Sequence, residues 1–313
     1  MERHWNHIAG IGLLFFLLLP GPGAAATPPG EALFKGTAVV VETGGSSLKE
    51  RASLACRRWE KAGEGAVFFT AWTFPAAGRI DSCSGHQGGT AGGSLTVRSR
   101  DGRIHVSADR GRGLNIADGD EAPGAVDAWG VMLLLNKVEN GRGRACDMQL
   151  LAPDREYDLG GERLAWLGAA DKAQALEFMR GLMGQSTDHN LGQDLVFAVY
   201  LVRGQAAVSE LIALARRDAS SEVRKQAIFW LGQKASAVAV AALGEVIDAP
   251  ESLEIKKQAV FALSQLSGDK GTPLLLKIAR DNPHPRLRKE AIFWLGESGD
   301  PRALQFFEEI LLK

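Results

Sequence analysis

The chain has 313 residues, 45% of them hydrophobic and 23% charged, with 36 Lys and Arg against 37 Asp and Glu. That length accommodates two domains, and the composition is globular rather than disordered. A net charge of −1 leaves no electrostatic footprint for nucleic acid or an anionic membrane surface.

Residues 1–26 read as a secretory signal peptide. Arg3 supplies a thin positive start, Ile8 to Leu19 form an apolar core, Pro20-Gly21-Pro22 break it, and Ala24-Ala25-Ala26 offer a small-residue cleavage site. The apolar run is short for a membrane span, and no later stretch is long and apolar enough to be one. The mature chain is therefore expected to lack a transmembrane segment and to be exported, to the periplasm or beyond. In an oxidising compartment a cysteine pair is expected to bridge. Of Cys56, Cys83 and Cys146, the expected pair is Cys83 with Cys146, each near the end of a strand, which leaves Cys56 as a small apolar residue on a helix.

Residues 27–158 read as an α+β or mostly-β domain. Thr37–Val41 is β-branched and suits a strand. Ser47 and Glu50 form a capping box for a helix over Leu48–Lys61, with Leu48, Ala52, Ala55, Cys56 and Trp59 as its apolar stripe. Ala66–Phe74 is an aromatic strand closed by Pro75. Ser94–Ser99 and Arg103–Ser107 alternate around Asp101-Gly102, the pattern of a hairpin. Trp129–Leu135 and Asp147–Leu151 are further strand candidates, and Asp158-Leu159-Gly160-Gly161 reads as a hinge.

Beyond the hinge a 32-residue period takes over. Val223-Arg224-Lys225-Gln226-Ala227-Ile228-Phe229-Trp230-Leu231-Gly232 returns from Ile255 and again from Leu287. A weaker trace lies at Leu191–Val199, and a last one at Trp166-Leu167-Gly168. A second stripe, Leu176, Met179, Leu182 and Met183, returns from Val208, Val240, Thr272 and Leu304. Two amphipathic helices per period make a solenoid of about five units. Asp300-Pro301 supplies an N-cap and first-turn proline for the last of them.

The pattern Val-Arg-x-x-Ala-x-x-x-Leu-Gly followed by an apolar helix resembles HEAT repeats of the short bacterial kind, also seen in phycobilin lyases. The resemblance covers residues 159–313. It implies an all-α HEAT-type solenoid of a sort found in exported bacterial proteins. Lyase activity does not carry over, since nothing in the chain matches a chromophore site. In HEAT arrays the second helix of each unit lines the concave side.

On a helical wheel Val223, Ala227 and Leu231 share the core side, Ile228 and Trp230 fall on the flanks, and Phe229 lies nearly opposite Ala227. That outward position is Phe in four successive units: Phe197, Phe229, Phe261 and Phe293. Lys225, Lys257 and Lys289 lie beside it. The resemblance places this stripe on the inner surface, as a binding face for a protein or peptide. The alternative reading is that each Phe leans sideways and packs on the adjacent helix. Arg224, Lys256 and Arg288 form a second column, read as an inter-repeat ladder with Asp218, Asp248, Glu254 and Asp281.

Other constellations carry less. Cys83 and His86 lack a second pair of zinc ligands. The Gly85–Gly93 loop lacks the Lys-Ser/Thr of a phosphate loop. Asp118-Gly119-Asp120-Glu121 lacks the rest of a calcium loop. No His, Cys or carboxylate set has catalytic spacing, and no cofactor motif occurs. The expectation is a non-catalytic binding scaffold or assembly factor of the bacterial cell envelope. Two alternatives stand beside it: an enzyme or enzyme accessory with its chemistry in the N-terminal domain and the repeats presenting substrate, and a purely structural envelope component.

Overall fold

The computed structural model describes residues 28–35, 37–77, 83–84, 95–100, 103–108, 128–153, 156–185, 189–234, 236–266 and 270–312. The signal-peptide segment, His86, the Gly85–Gly93 loop and Asp118–Glu121 lie outside the described residues.

Among the described residues, after a single 3-10 turn at Glu31–Leu33, the first domain has ten strands and one α-helix: β1 (Phe34–Lys35), β2 (Val39–Val41), α1 (Leu48–Glu60), β3 (Val67–Ala76), β4 (Cys83–Ser84), β5 (Leu95–Arg100), β6 (Arg103–Ala108), β7 (Ala128–Glu139), β8 (Arg142–Leu151), β9 (Tyr157–Asp158) and β10 (Leu164–Ala169). They form a six-stranded sheet, β2-β10-β3-β7-β8-β4, and a four-stranded one, β1-β9-β5-β6. The domain is α+β.

In α1 the capping box forms as the sequence implies: Ser47 accepts from the Glu50 backbone N–H, and Glu50 reaches back to Ser47. The β5–β6 hairpin forms with Val97 opposite Val106. A second hairpin was not anticipated. β7 and β8 turn at Asn140-Gly141, which adopt φ of 53° and 70°, the left-handed conformation a two-residue turn needs at both positions. β3 also runs through Pro75 instead of stopping there. Its neighbour β10 has ended by then, so the missing N–H costs no ladder bond, and the Pro75 carbonyl accepts from Arg203 N at 3.1 Å.

β10 corrects the expected boundary. Trp166-Leu167-Gly168 is not the remnant of a repeat but part of the strand between β2 and β3, parallel to both. Asp158 ends β9 and Gly160-Gly161 form a turn within the first domain, so the helical array begins after residue 170 rather than at 159. A short apolar strand buried on both faces offers no period by which to tell it from a helix.

The array comprises α2 (Lys172–Gln185), α3 (His189–Leu201), α4 (Gln205–Arg217), α5 (Ser221–Gln233), α6 (Ala237–Asp248), α7 (Leu253–Ser264), α8 (Thr272–Asp281), α9 (Pro285–Glu297) and α10 (Pro301–Leu311). Among the described residues these are four two-helix units and the first helix of a fifth. Serine caps start α5, α6 and α7, Asp300 caps α10 through Arg302 N at 2.8 Å, and His284 caps α9 through Nδ1. The second helices, α3, α5, α7 and α9, pack on one another in succession. Gly232 makes that approach possible: a Cβ there would lie 2.7 Å from the Ala262 carbonyl oxygen.

The larger sheet is the middle layer of the first domain. One face meets the smaller sheet through Phe34, Tyr157 and Leu159, which pack with Phe69, Leu133 and Trp166. The other face meets the helices, and its core runs unbroken into the array. Trp72, fully buried on β3, stands edge-on to Phe178 of α2 with ring centroids 5.1 Å apart. Ala77 N donates to the Leu201 carbonyl at 2.8 Å, and Ala76 bridges Val202. The first unit is therefore seated on the sheet.

Candidate binding face

Position on the helical wheel decides which way each residue of a second helix points. In α5, Val223, Ala227, Ile228 and Leu231 are buried, whereas Phe229 and Trp230 are half-buried. The Phe column follows the same rule: Phe197, Phe229 and Phe261 are half-buried, and Phe293 is 55% exposed.

The four rings do not stand alone. Phe197 stacks on Trp230 at 4.7 Å, and Trp230 on Tyr200 at 4.6 Å. Phe229 meets Trp230 edge-on at 4.9 Å and lies nearly parallel to Phe261, at 6.4 Å and 14°. Phe261 touches Trp294 at 5.0 Å, and Trp294 touches Phe293 at 4.9 Å. Seven rings thus run without a break from α3 to α9. The two readings of the Phe column therefore combine: the rings lean on neighbouring helices, yet most keep part of their surface in solvent.

Trp230, Trp294 and Tyr200 were not singled out as site residues. The signal was the alternation of Trp230, Ala262 and Trp294 in one column. Ala262 is small where α7 closes on Gly232, so Phe229 and Phe261 stack directly across that boundary. At the other two boundaries a Trp ring bridges the helices: Trp230 contacts Phe197, and Trp294 contacts Phe261.

Lys225 and Lys257 border the rings, paired with Glu222 at 2.8 Å and Glu254 at 3.9 Å on their own helices. Lys289 is exposed at the equivalent position. The Lys234 ammonium lies 4.6 Å from the Tyr200 ring centroid, a cation–π distance. Trp294 Nε1 donates to Glu290 at 3.1 Å.

The arginine column works differently from the expected Asp–Arg ladder. Arg224 donates to the Asp218 carbonyl at 2.8 Å and pairs with Glu251 at 3.6 Å. Arg288 donates to the Asn282 carbonyl at 2.8 Å. Each guanidinium tethers the turn after the preceding helix, where carbonyls lack helical partners. The Arg224–Glu251 pair does cross to the next unit, with Glu in place of the expected Asp, and further inter-unit ion pairs join first helices, as in Arg216–Glu245 and Arg280–Glu309.

A second concavity of about 1040 Å³ opens between α1, the sheet and α2, lined in part by Ser53, Cys56, Thr70, Asn136 and Phe178. Its floor is satisfied: Asn136 Nδ2 donates to Thr70 Oγ1 at 3.1 Å and to the Leu134 carbonyl at 3.2 Å. Burial pushes the Cys56 thiol up to about 11, and the nearby Glu60 adds to the shift. That is the reverse of an activated nucleophile. Among the described residues no cluster of His, Cys, Asp and Glu could hold a metal ion.

The expected Cys83–Cys146 bridge does not fit the strand register. β4 sets Cys83 opposite Leu150 on β8. Cys146 lies four residues along, about 13 Å at strand rise. A disulfide needs Cα atoms within roughly 7 Å.

Compared with protein families, the chain matches HEAT repeats over residues 208–293 and 240–313. This part of the array is thus built of HEAT repeats. Compared with curated proteins, the chain matches none. Solved structures that are similar include two. One is the complex of CpcE and CpcF of phycocyanin lyase from Nostoc sp. PCC7120, at 20% identity, TM-score 0.31, and 44% of this chain against 56% of that one. The other is YibA of E. coli, at 18% identity, TM-score 0.31, and 44% against 54%. The chain spans about half the length of each. No helix among the described residues is long and apolar enough to cross a membrane.

Proposed function

We propose that the protein is a protein- or peptide-binding scaffold of the bacterial cell envelope, and that its partner lies along the aromatic ladder from Tyr200 to Phe293. The ladder carries this reading: seven contiguous rings, most of them partly exposed, run along one row of helices. Aligned and partly exposed aromatics bordered by Lys have the make-up of a recognition surface, with large rigid contact area inside a polar rim. The signal-peptide pattern of residues 1–26 supports export.

Phe293→Ala tests the reading most cleanly. The ring is more than half exposed, so stability should move by no more than about 0.5 kcal/mol. Capture of a defined protein from envelope extracts should fall about tenfold or more, as for truncation of an interface aromatic. Unchanged capture by Phe293→Ala and by Phe229→Ala/Phe261→Ala would defeat the proposal. The cleft beside α1 favours a second reading, in which the first domain binds a small molecule and the repeats present it. Ligand-induced protection of α1 and α2 amides, with the ladder unaffected, would favour that reading.

A further inference from the structure

The row of rings runs between two polar rows, and each row steps once per unit. Residues four apart on a helix share a face. Lys225 and Lys257 therefore stand one turn before Phe229 and Phe261, and Gln233 and Gln265 stand one turn after them. The lysines form a positive rail. Lys225 lies 2.8 Å from Glu222 and Lys257 lies 3.9 Å from Glu254, acids set a further turn away from the rings. An ammonium carries three donors, so neither pair exhausts its lysine. Lys234, over the Tyr200 ring, adds positive charge at the α3 end. The Phe and Trp rings offer no strong hydrogen-bond acceptor, and Trp294 Nε1 is already engaged by Glu290.

Such a surface discriminates between backbones. An ordinary extended strand laid on the rings would bury N–H groups against a surface that cannot accept them, which is costly. Proline has no N–H. A proline-rich segment also holds the polyproline II conformation before it binds, so it loses little freedom on docking. Its repeat suits the array. One polyproline II turn takes three residues and advances about 9 Å. Packed helices stand roughly 8–10 Å apart. Every third residue of the segment then meets the same row of the next unit.

We infer that the ladder binds a proline-rich, acidic segment of a partner protein in polyproline II conformation. Prolines lie on the rings, and an acidic residue at every third position meets the Lys225–Lys257 rail. Carbonyls that point away from the rings accept from the Gln233 and Gln265 amides. The inference rests on the ladder being the binding face, and it names the chemistry of the partner.

Fluorescence anisotropy of the full chain with a labelled twelve-residue peptide of Pro-Pro-Glu repeats tests it. This peptide should bind at least about tenfold more tightly than one of Pro-Pro-Lys repeats, which reverses the charge. It should exceed one of Ala-Ala-Glu repeats by a similar factor, since that peptide keeps the charge but restores the N–H groups. Binding should weaken as salt rises, because the rail is open to solvent. Phe261→Ala should weaken it about tenfold. Lys225→Glu/Lys257→Glu removes no packed ring and should erase the preference for Pro-Pro-Glu over Pro-Pro-Lys repeats, with the wild-type far-UV spectrum retained. No binding of the Pro-Pro-Glu peptide, or equal binding of the three peptides, overturns the inference. If Phe293→Ala nevertheless abolishes capture from envelope extracts, the ladder remains the binding face for a partner of other chemistry, such as an amphipathic helix. If capture is also unchanged in the ladder variants, both readings fall.

Discussion

The first domain and the helical array are held together in opposite ways. In the sheet, β10 lies between β2 and β3, so residues 164–166 pair with residues 39–41 on one side and 69–71 on the other. In the array, each helix packs on the helices of its own unit and of the adjoining ones. Non-local pairing makes the sheet one cooperative body. Nearest-neighbour packing makes the array a chain of coupled units, each of which can be damaged alone. The junction joins the two regimes, because the first unit sits on the sheet.

The largest effect should come from Trp72→Ala, which empties a fully buried site shared by β3 and α2. A loss of about 3–5 kcal/mol is expected. Chemical denaturation followed by hydrogen exchange should show both the sheet and α2 loosening. An effect confined to one side would separate them. Gly232→Ala strikes within the array alone. The added Cβ would press on the Ala262 backbone and force α5 and α7 apart, costing about 1–3 kcal/mol. Exchange should accelerate from α5 onward while the sheet keeps its protection.

A smaller effect is expected at Asp300. Its bonds with Arg302 hold its carboxyl well below the usual carboxylate range, and Thr272 contributes. A depressed folded value means the stabilisation is present above the unfolded value of about 3.9 and is lost as pH falls from there through the folded value. Acid should therefore loosen α10 before α5. Asp300→Asn keeps a capping side chain and should remove that part of the pH dependence. The smallest expected effect is chemical. The raised Cys56 thiol should alkylate slowly at pH 8 in the native protein and quickly once the sheet opens. Peptide mapping without reductant should find no Cys83–Cys146 bridge, as the β4 register requires.

The array was far more legible in the sequence than the sheet, for a physical reason. A repeat sets the same environment every 32 residues, so Val223, Ala227 and Leu231 forecast Ile255, Ala259 and Leu263, all buried as expected. The sheet has no such redundancy. A domain either α+β or mostly β followed from α1 and the strand candidates, but the order of strands depends on pairings that no local pattern encodes. Trp166-Leu167-Gly168 matched the repeat by chance and proved to be sheet. Asn140-Gly141 is a local hairpin signal, but it shows only which two strands adjoin, not where the pair sits in the sheet. At the candidate site the Phe column was visible as a column. The Trp and Tyr rings that join it into a ladder depend on how closely adjacent helices approach, which Gly232 and Ala262 set.

The position of β10 has a consequence for synthesis. The chain leaves the ribosome from its N-terminus, so β2 and β3 emerge while the strand that belongs between them is still missing. Until residue 169 is clear, β2 has no neighbour to bond, and the sheet keeps an open slot. The strand that fills the slot leads within two residues into α2. Completion of the first domain and the start of the array are thus a single event in time, and any truncation before residue 169 should leave neither.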